Sequence, residues 1–146
     1  MPEQPEISVV FSTYNRSHYL RQTLDAMTQV NCDGLKVEFV VIDNNSTDDT
    51  AQVIEEFSGR LPLRHLFQSR PGKNCALNHA LDNVELGEIV VFTDDDVVPC
   101  KNWLKIIDEA CKQWNDYDVF GGIFELIWPE NMEIPRWAKA CDNIRG

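Results

Sequence analysis

Three consecutive aspartates, Asp94-Asp95-Asp96, follow an apolar, β-branched run at residues 89–93 and precede Val97-Val98-Pro99. Like charges at the end of a buried strand repel, and unpaired they would cost on the order of several kcal/mol or raise one another's pKa. A divalent cation is the usual relief, because hard cations take carboxylate oxygens. The triplet therefore predicts a metal site at the carboxyl end of a central strand. It also fits a solvated acidic turn in which Asp caps the helix beginning near Lys101. Two more polar clusters stand out, Ser12-Thr13-Tyr14-Asn15-Arg16 and Asp43-Asn44-Asn45, with Arg70 and Lys73 between them and the triplet. An acidic cluster holding a divalent ion can bind a diphosphate, since the ion reverses the local sign. Arg16, Arg70 and Lys73 could add positive charge, Asp43 could accept a hydrogen bond from a base N–H, and Tyr14 could stack on a planar base. A nucleoside diphosphate attached to a further group is the natural guest. Asn44, Asn45 and Ser46 are also turn formers in any protein, and Arg16 and Arg70 fit solvated surface as well as phosphate contact.

Alternating strands and helices must position these clusters. Residues 7–12 read as a short buried strand. Ser17 can cap the next helix, whose Leu20, Leu24 and Met27 share one face, and residues 31–34 end it. Residues 37–42 form a second strand. A helix with Val53, Ile54 and Phe57 inward stops at Gly59. A weaker third strand covers 63–67, a helix 75–84, and the aspartate-bearing strand follows Gly87. Trp103, Leu104, Ile107, Cys111 and Trp114 form a further helical stripe, read as core. Residues 118–126, with Gly121-Gly122 inside, read as a fifth strand with a bulge or close approach at the glycines. Residues 127–146 read as irregular with one short helix. This βαβ order predicts a largely parallel sheet with helices on both faces. Ligands of such sheets bind at the carboxyl ends of the strands, where all three clusters fall.

Length and composition set further bounds. The 146 residues suit one domain. A net charge of −11 argues against a nucleic-acid backbone as partner and against a polybasic membrane patch. No apolar run reaches the ~18 residues of a membrane span. Residues 1–6 read as a disordered acidic lead without the features of a signal peptide. The five cysteines are odd in number and lack a CxxC pair, so a disulfide framework or zinc site is not expected, and the reading is of reduced thiols in a cytoplasmic protein. His18, His65 and His79 are scattered and read as surface or packing residues. No GxGxxG follows the first strand and no GxxxxGK[ST] occurs, which disfavours nicotinamide dehydrogenases and P-loop enzymes.

Ile7-Ser8-Val9-Val10-Phe11-Ser12-Thr13-Tyr14-Asn15-Arg16 resembles the opening of family 2 glycosyltransferases of the GT-A fold. Val40-Val41-Ile42-Asp43-Asn44-Asn45-Ser46-Thr47-Asp48 resembles their second nucleotide-binding motif. Gly72-Lys73-Asn74-Cys75-Ala76-Leu77-Asn78 resembles the segment leading to the metal strand. Gly87-Glu88-Ile89-Val90-Val91-Phe92-Thr93-Asp94-Asp95-Asp96 resembles the segment carrying their DXD motif. The likeness covers roughly residues 7–126, and four motifs in order are specific where a lone DXD is not. It implies that Ser12 and Tyr14 line a nucleotide pocket and that Asp43 contacts the base, often uracil. It places Lys73, with Arg70, near the diphosphate and Asp94 near the ribose. Asp96, together with Asp94, would hold Mn2+ or Mg2+, and Asp95 could share either job. Asn15, Arg16 and Asn45 complete the nucleotide-sugar-binding set. The chemistry implied is inverting transfer of a sugar from a nucleotide sugar, UDP-linked by preference, to an acceptor hydroxyl.

The family's base and most acceptor contacts come from beyond the DXD strand. Here residues 127–146 read as the start of that acceptor-side region, and Glu125, Glu130, Glu133 and Asp142 do not form the Glu-Asp motif typical of the base. The expectation is a donor-binding half that binds nucleotide sugar without efficient transfer alone. The alternative is a binding or interaction module completed by a partner chain or a homodimer. Haloacid dehalogenase-type phosphatases carry DxD on the first strand, and receiver domains need a later Lys, where only Lys139 is available, so both fit less well. The acceptor, glycan or lipid, is open, since polysaccharide, glycolipid and glycoprotein assembly all use this fold. The location expected is cytoplasmic, with peripheral membrane association compatible.

Overall fold

The apolar runs are continuous because the strands they form are covered on both faces. A computed structural model of the chain describes residues 4–128 and 131–136, in two units, 1–115 and 116–146. The first unit holds β1 (Ile7–Thr13), α1 (Ser17–Met27), β2 (Val37–Asp43), α2 (Thr50–Ser58), β3 (Leu63–Phe67), α3 (Lys73–Asn83), β4 (Ile89–Phe92) and α4 (Trp103–Gln113). Side chains alternate along each strand. Val9, Phe11, Phe39 and Val41 pack with Leu20 and Leu24 of α1, Val53 and Phe57 of α2, and Leu104 of α4. Val10, Val40 and Ile42 point the other way, onto Ala76 and Ala80 of α3. Each fully buried large apolar side chain contributes ~1.5–3 kcal/mol, so a charge at any of these positions would break the layer.

The four strands lie in the order β3-β2-β1-β4, and all pairings are parallel. The chain winds outward from β1 to β3, then crosses back to place β4 on the other side of β1. The reversal between β1 and β4 opens a crevice at their carboxyl ends. Register sharpens it. β4 ends with Phe92 opposite Val10, whereas β1 continues to Thr13, opposite Asp43. The aspartate triplet turns in the step that β1 leaves.

Three expectations need correction or placing. Residues 118–126 form no strand among the described residues, and Val119, Ile123 and Phe124 are exposed. An apolar run becomes a strand only when a neighbour supplies N–H and C=O partners. Glu6, expected in a disordered lead, is hydrogen-bonded: its N–H donates to Lys36 O (2.7 Å) and its carbonyl accepts from Ile89 N–H (3.0 Å). Residues 1–3, Glu130, Cys141, Asp142 and most of the short helix expected within 127–146 lie outside the described residues. No helix among the described residues is long and apolar enough to cross a membrane.

Candidate functional site

The triplet is held from α1. Thr23, buried in the second turn of that helix, donates its hydroxyl to the Asp95 carbonyl (2.9 Å) and accepts from Val97 N–H (3.1 Å). Arg16, the N-cap residue of α1, bridges Asp95 Oδ1 (2.9 Å) and Asp96 Oδ2 (2.7 Å), and its guanidinium lies 5.0 Å over the Tyr19 ring. Lys73, the first residue of α3, pairs with Asp94. Two cations thus relieve the repulsion that a metal was expected to relieve. Asp95 alone of the three is buried; Asp94 and Asp96 keep 54% and 43% of their side chains exposed. Burial pushes the Asp95 carboxyl up, against the pull of the nearby Thr13 hydroxyl and of Arg16. The Asp96 hydrogen bond, more than any other influence, holds Arg16 further above its usual value.

Neighbouring loops are laced to one another by short polar side chains. Asn15 and Asn45 adopt left-handed φ values of 50° and 68°, which Asn tolerates better than most residues. Asn15 N–H donates to Ser46 Oγ (3.0 Å), and its side-chain oxygen accepts from Thr47 N–H (2.7 Å). Asp43 is buried and accepts from Ser46 N–H (2.8 Å). Asp48 accepts from Ser17 N–H (3.0 Å) at the start of α1 and from Thr50 N–H (3.1 Å) at the start of α2. Burial alone would raise the Asp48 carboxyl, but the Thr50 and Ser17 hydrogen bonds outweigh it and bring it to about 2. Asn44 ties down the β3–α3 loop. Its amide donates to Gln68 O (2.9 Å) and Arg70 O (2.8 Å), and its side-chain oxygen accepts from Gly72 N–H (2.8 Å). That latch sets Gly72 at a φ of 121° and delivers Lys73 to the triplet.

Together these contacts frame a cleft of about 390 Å3 lined by Ser12, Thr13, Tyr14, Arg16, Asn44, Lys73 and the three aspartates. Of the expected residues, Ser12, Tyr14, Arg16, Lys73, Asp94, Asp95 and Asp96 meet there. Asn15, Asp43 and Asn45 do not line it; the polar groups of Asn15 and Asp43 and the left-handed backbone of Asn45 shape the loops around it. Arg70 lines a second, smaller cleft with Gln68, Cys75, Asn78, His79 and Asp82. Thr13, Thr23, Asn44 and Asp48 were not singled out by type. Thr13 and Asn44 sit inside the motifs, so proximity could have found them, whereas nothing local marks Thr23.

The donor set can be tested for a metal. Among the described residues no three His, Cys, Asp or Glu side chains converge on a common point, so an all-carboxylate cage is absent there and Asp94 and Asp96 are separately paired. Mg2+-type ions are commonly held by one or two carboxylates with phosphate oxygens and water completing the shell. Exposed Asp96 and Asp94 fit that arrangement. The buried Thr13 hydroxyl lines the same cleft beside the Asp95 carboxyl.

Comparison with known proteins agrees with this geometry. The family described as Glycosyl transferase family 2 matches residues 8–134. An uncharacterised glycosyltransferase of Mycoplasma genitalium is 25% identical over 97% of this chain and 49% of its own length. Crystallised Staphylococcus aureus TarS in complex with UDP-GlcNAc is 31% identical, with a TM-score of 0.66, over 75% of this chain and 32% of that one. The Pyrobaculum calidifontis mannosyltransferase PcManGT, in complex with GDP-Man and Mn2+, is 34% identical, with a TM-score of 0.58, over 67% of this chain and 29% of that one. The chain spans about half the length, or less, of the curated relatives it matches. A family match across most of the sequence, a parallel sheet shared with GT-A enzymes and a polar cleft at its switch point agree: this chain belongs to glycosyl transferase family 2 and has the GT-A fold.

Proposed function

We propose that the cleft binds the donor of a metal-dependent glycosyltransferase, a nucleoside-diphosphate sugar with UDP favoured, for inverting transfer to an acceptor hydroxyl. The observation that carries this reading is the placement of Arg16 and Lys73 beside exposed Asp94 and Asp96 in one cleft. Cations there can take diphosphate oxygens while the carboxylates hold a divalent ion or a ribose hydroxyl. The nucleotides bound by TarS and PcManGT point to the same class of guest. Asp96, with Asp94, would hold Mn2+ or Mg2+, which when bound supplies Lewis-acid stabilisation of the leaving diphosphate. Tyr14, 57% exposed at the rim, offers its ring to a base. Ser12 and the Thr13 hydroxyl offer hydrogen bonds to the bound nucleotide. Asp43 serves through the turn it caps, and Arg70 reaches the nucleotide only by leaving the second cleft.

Calorimetric titration with UDP, with and without Mn2+, tests the reading. Binding should require the metal, and Asp96→Ala should weaken it by roughly 100-fold or more, beyond the effect of losing an outer-shell partner. Equal binding by the variant and the parent would rule out Asp96 as the metal carboxylate.

A further inference from the structure

Resting on the donor-site reading, we infer that Arg16 and Lys73 are internal counter-ions that hold off a lone divalent cation and release Asp96 and Asp94 only when a diphosphate arrives to take their place. The cleft is lined by three carboxylates and two cations, leaving one net negative charge. A divalent cation alone shifts that balance by two charges, and so does a nucleotide-linked diphosphate bearing two. Together they shift it by none. Joint loading therefore preserves the electrostatic balance for which the cleft is built, and single loading does not.

The geometry gives this exchange a route. Arg16 holds two carboxylates at once, with 41% of its side chain exposed. Its Asp95 contact is anchored by a buried partner, while its Asp96 contact lies at the surface. The guanidinium can give up Asp96 and turn that arm to a phosphate oxygen while keeping Asp95, because its donor fork serves two acceptors at once. Lys73 has a single carboxylate partner, and both side chains of that pair are more than half exposed. An ammonium exchanges one anionic oxygen for another without a geometric penalty. Both cations sit at the starts of helices, Arg16 as the N-cap of α1 and Lys73 as the first residue of α3. Helix N-termini also favour the incoming anion.

The test measures Mn2+ affinity by electron paramagnetic resonance, alone and with saturating UDP, for the parent chain, Arg16→Gln and Lys73→Gln. The parent should bind Mn2+ alone weakly and tighten with UDP by a factor within the roughly 5–150-fold range of ordinary site coupling. Each variant should bind Mn2+ alone roughly two- to fivefold more tightly, the scale of a half-exposed ion pair, and should show a smaller gain with UDP. Circular dichroism and thermal unfolding establish that each variant is folded. Should Arg16→Gln fail to fold, Lys73→Gln decides alone, since its pair lies at the surface. A folded variant that binds Mn2+ alone no better than the parent overturns the counter-ion role, even when UDP tightens the parent's metal. A parent whose Mn2+ affinity ignores UDP and GDP alike overturns the donor-site reading first.

Discussion

The two ends of the sheet each bury a carboxylate, and they treat it differently. At the amino end Glu38 is 8% exposed; it accepts from Ser8 Oγ (2.8 Å) and pairs with Arg64 (3.1 Å). Ser8 Oγ also accepts from Gly87 N–H (2.8 Å), and a Cβ on Gly87 would meet the Glu6 backbone at 2.7 Å. Ser8, Glu38 and Gly87 are closed by the fold itself, and only the Arg64 side chain reaches solvent. At the carboxyl end Asp95 is similarly buried, but it lies between two exposed aspartates and beside two cations with half-exposed side chains. Buried polar groups that are fully satisfied rigidify a fold. A set left partly open is what the proposed donor site requires.

Breaking the closed end should give the largest effect on stability. Gly87→Ala forces a methyl into the Glu6 backbone and should cost up to ~3 kcal/mol by overpacking, read as a lower denaturant midpoint. UDP affinity of the folded fraction should not change, and a parallel loss of affinity would show the two ends to be coupled. At the open end, Asn44→Ala removes three hydrogen bonds to the loop preceding Lys73. It should cost about 2 kcal/mol, less than three bonds summed because water re-solvates part of the loop. Here nucleotide affinity should fall as well. An unchanged affinity would mean that Lys73 does not depend on this latch.

The smallest effect expected is electrostatic. The Asp48 carboxyl is lowered from 3.8 to about 2 by the two helix starts it caps. Its contribution is therefore fully present above the unfolded value and is lost as pH falls through about 2. Asp48→Asn keeps an acceptor oxygen but loses its charge, so it should flatten the stability profile in that acid window and cost about 1 kcal/mol near neutrality. A profile as steep as the parent's would assign the acid sensitivity elsewhere.

Much of this was legible in the chain. Continuous apolar runs require strands covered on both faces, and the polar clusters at 12–16, 43–45 and 94–96 fall on the edge that the parallel order predicts. The sequence could not say how the triplet is neutralised, because Arg16 lies 79 and 80 residues away from its partners. Thr23 was hidden for the same reason, since its two bonds to the triplet turn span 72 and 74 residues. Arg70 and Lys73 looked equivalent as neighbouring cations. The Asn44 latch separates them by fixing the Arg70 carbonyl and the Gly72 amide, and it sends only Lys73 into the main cleft. The fifth strand failed because apolar composition alone does not make a ladder.

The difference between the two ends can be read directly by amide chemical shifts. Titrating the isotope-labelled chain with UDP and Mg2+ should move the amides of Ser12, Thr13, Tyr14, Arg16, Lys73, Asp94, Asp95 and Asp96, and leave those of Ser8, Glu38 and Gly87 in place. Shifts centred on the amino end, or no shifts at the carboxyl edge at saturating nucleotide and metal, would contradict a donor site there.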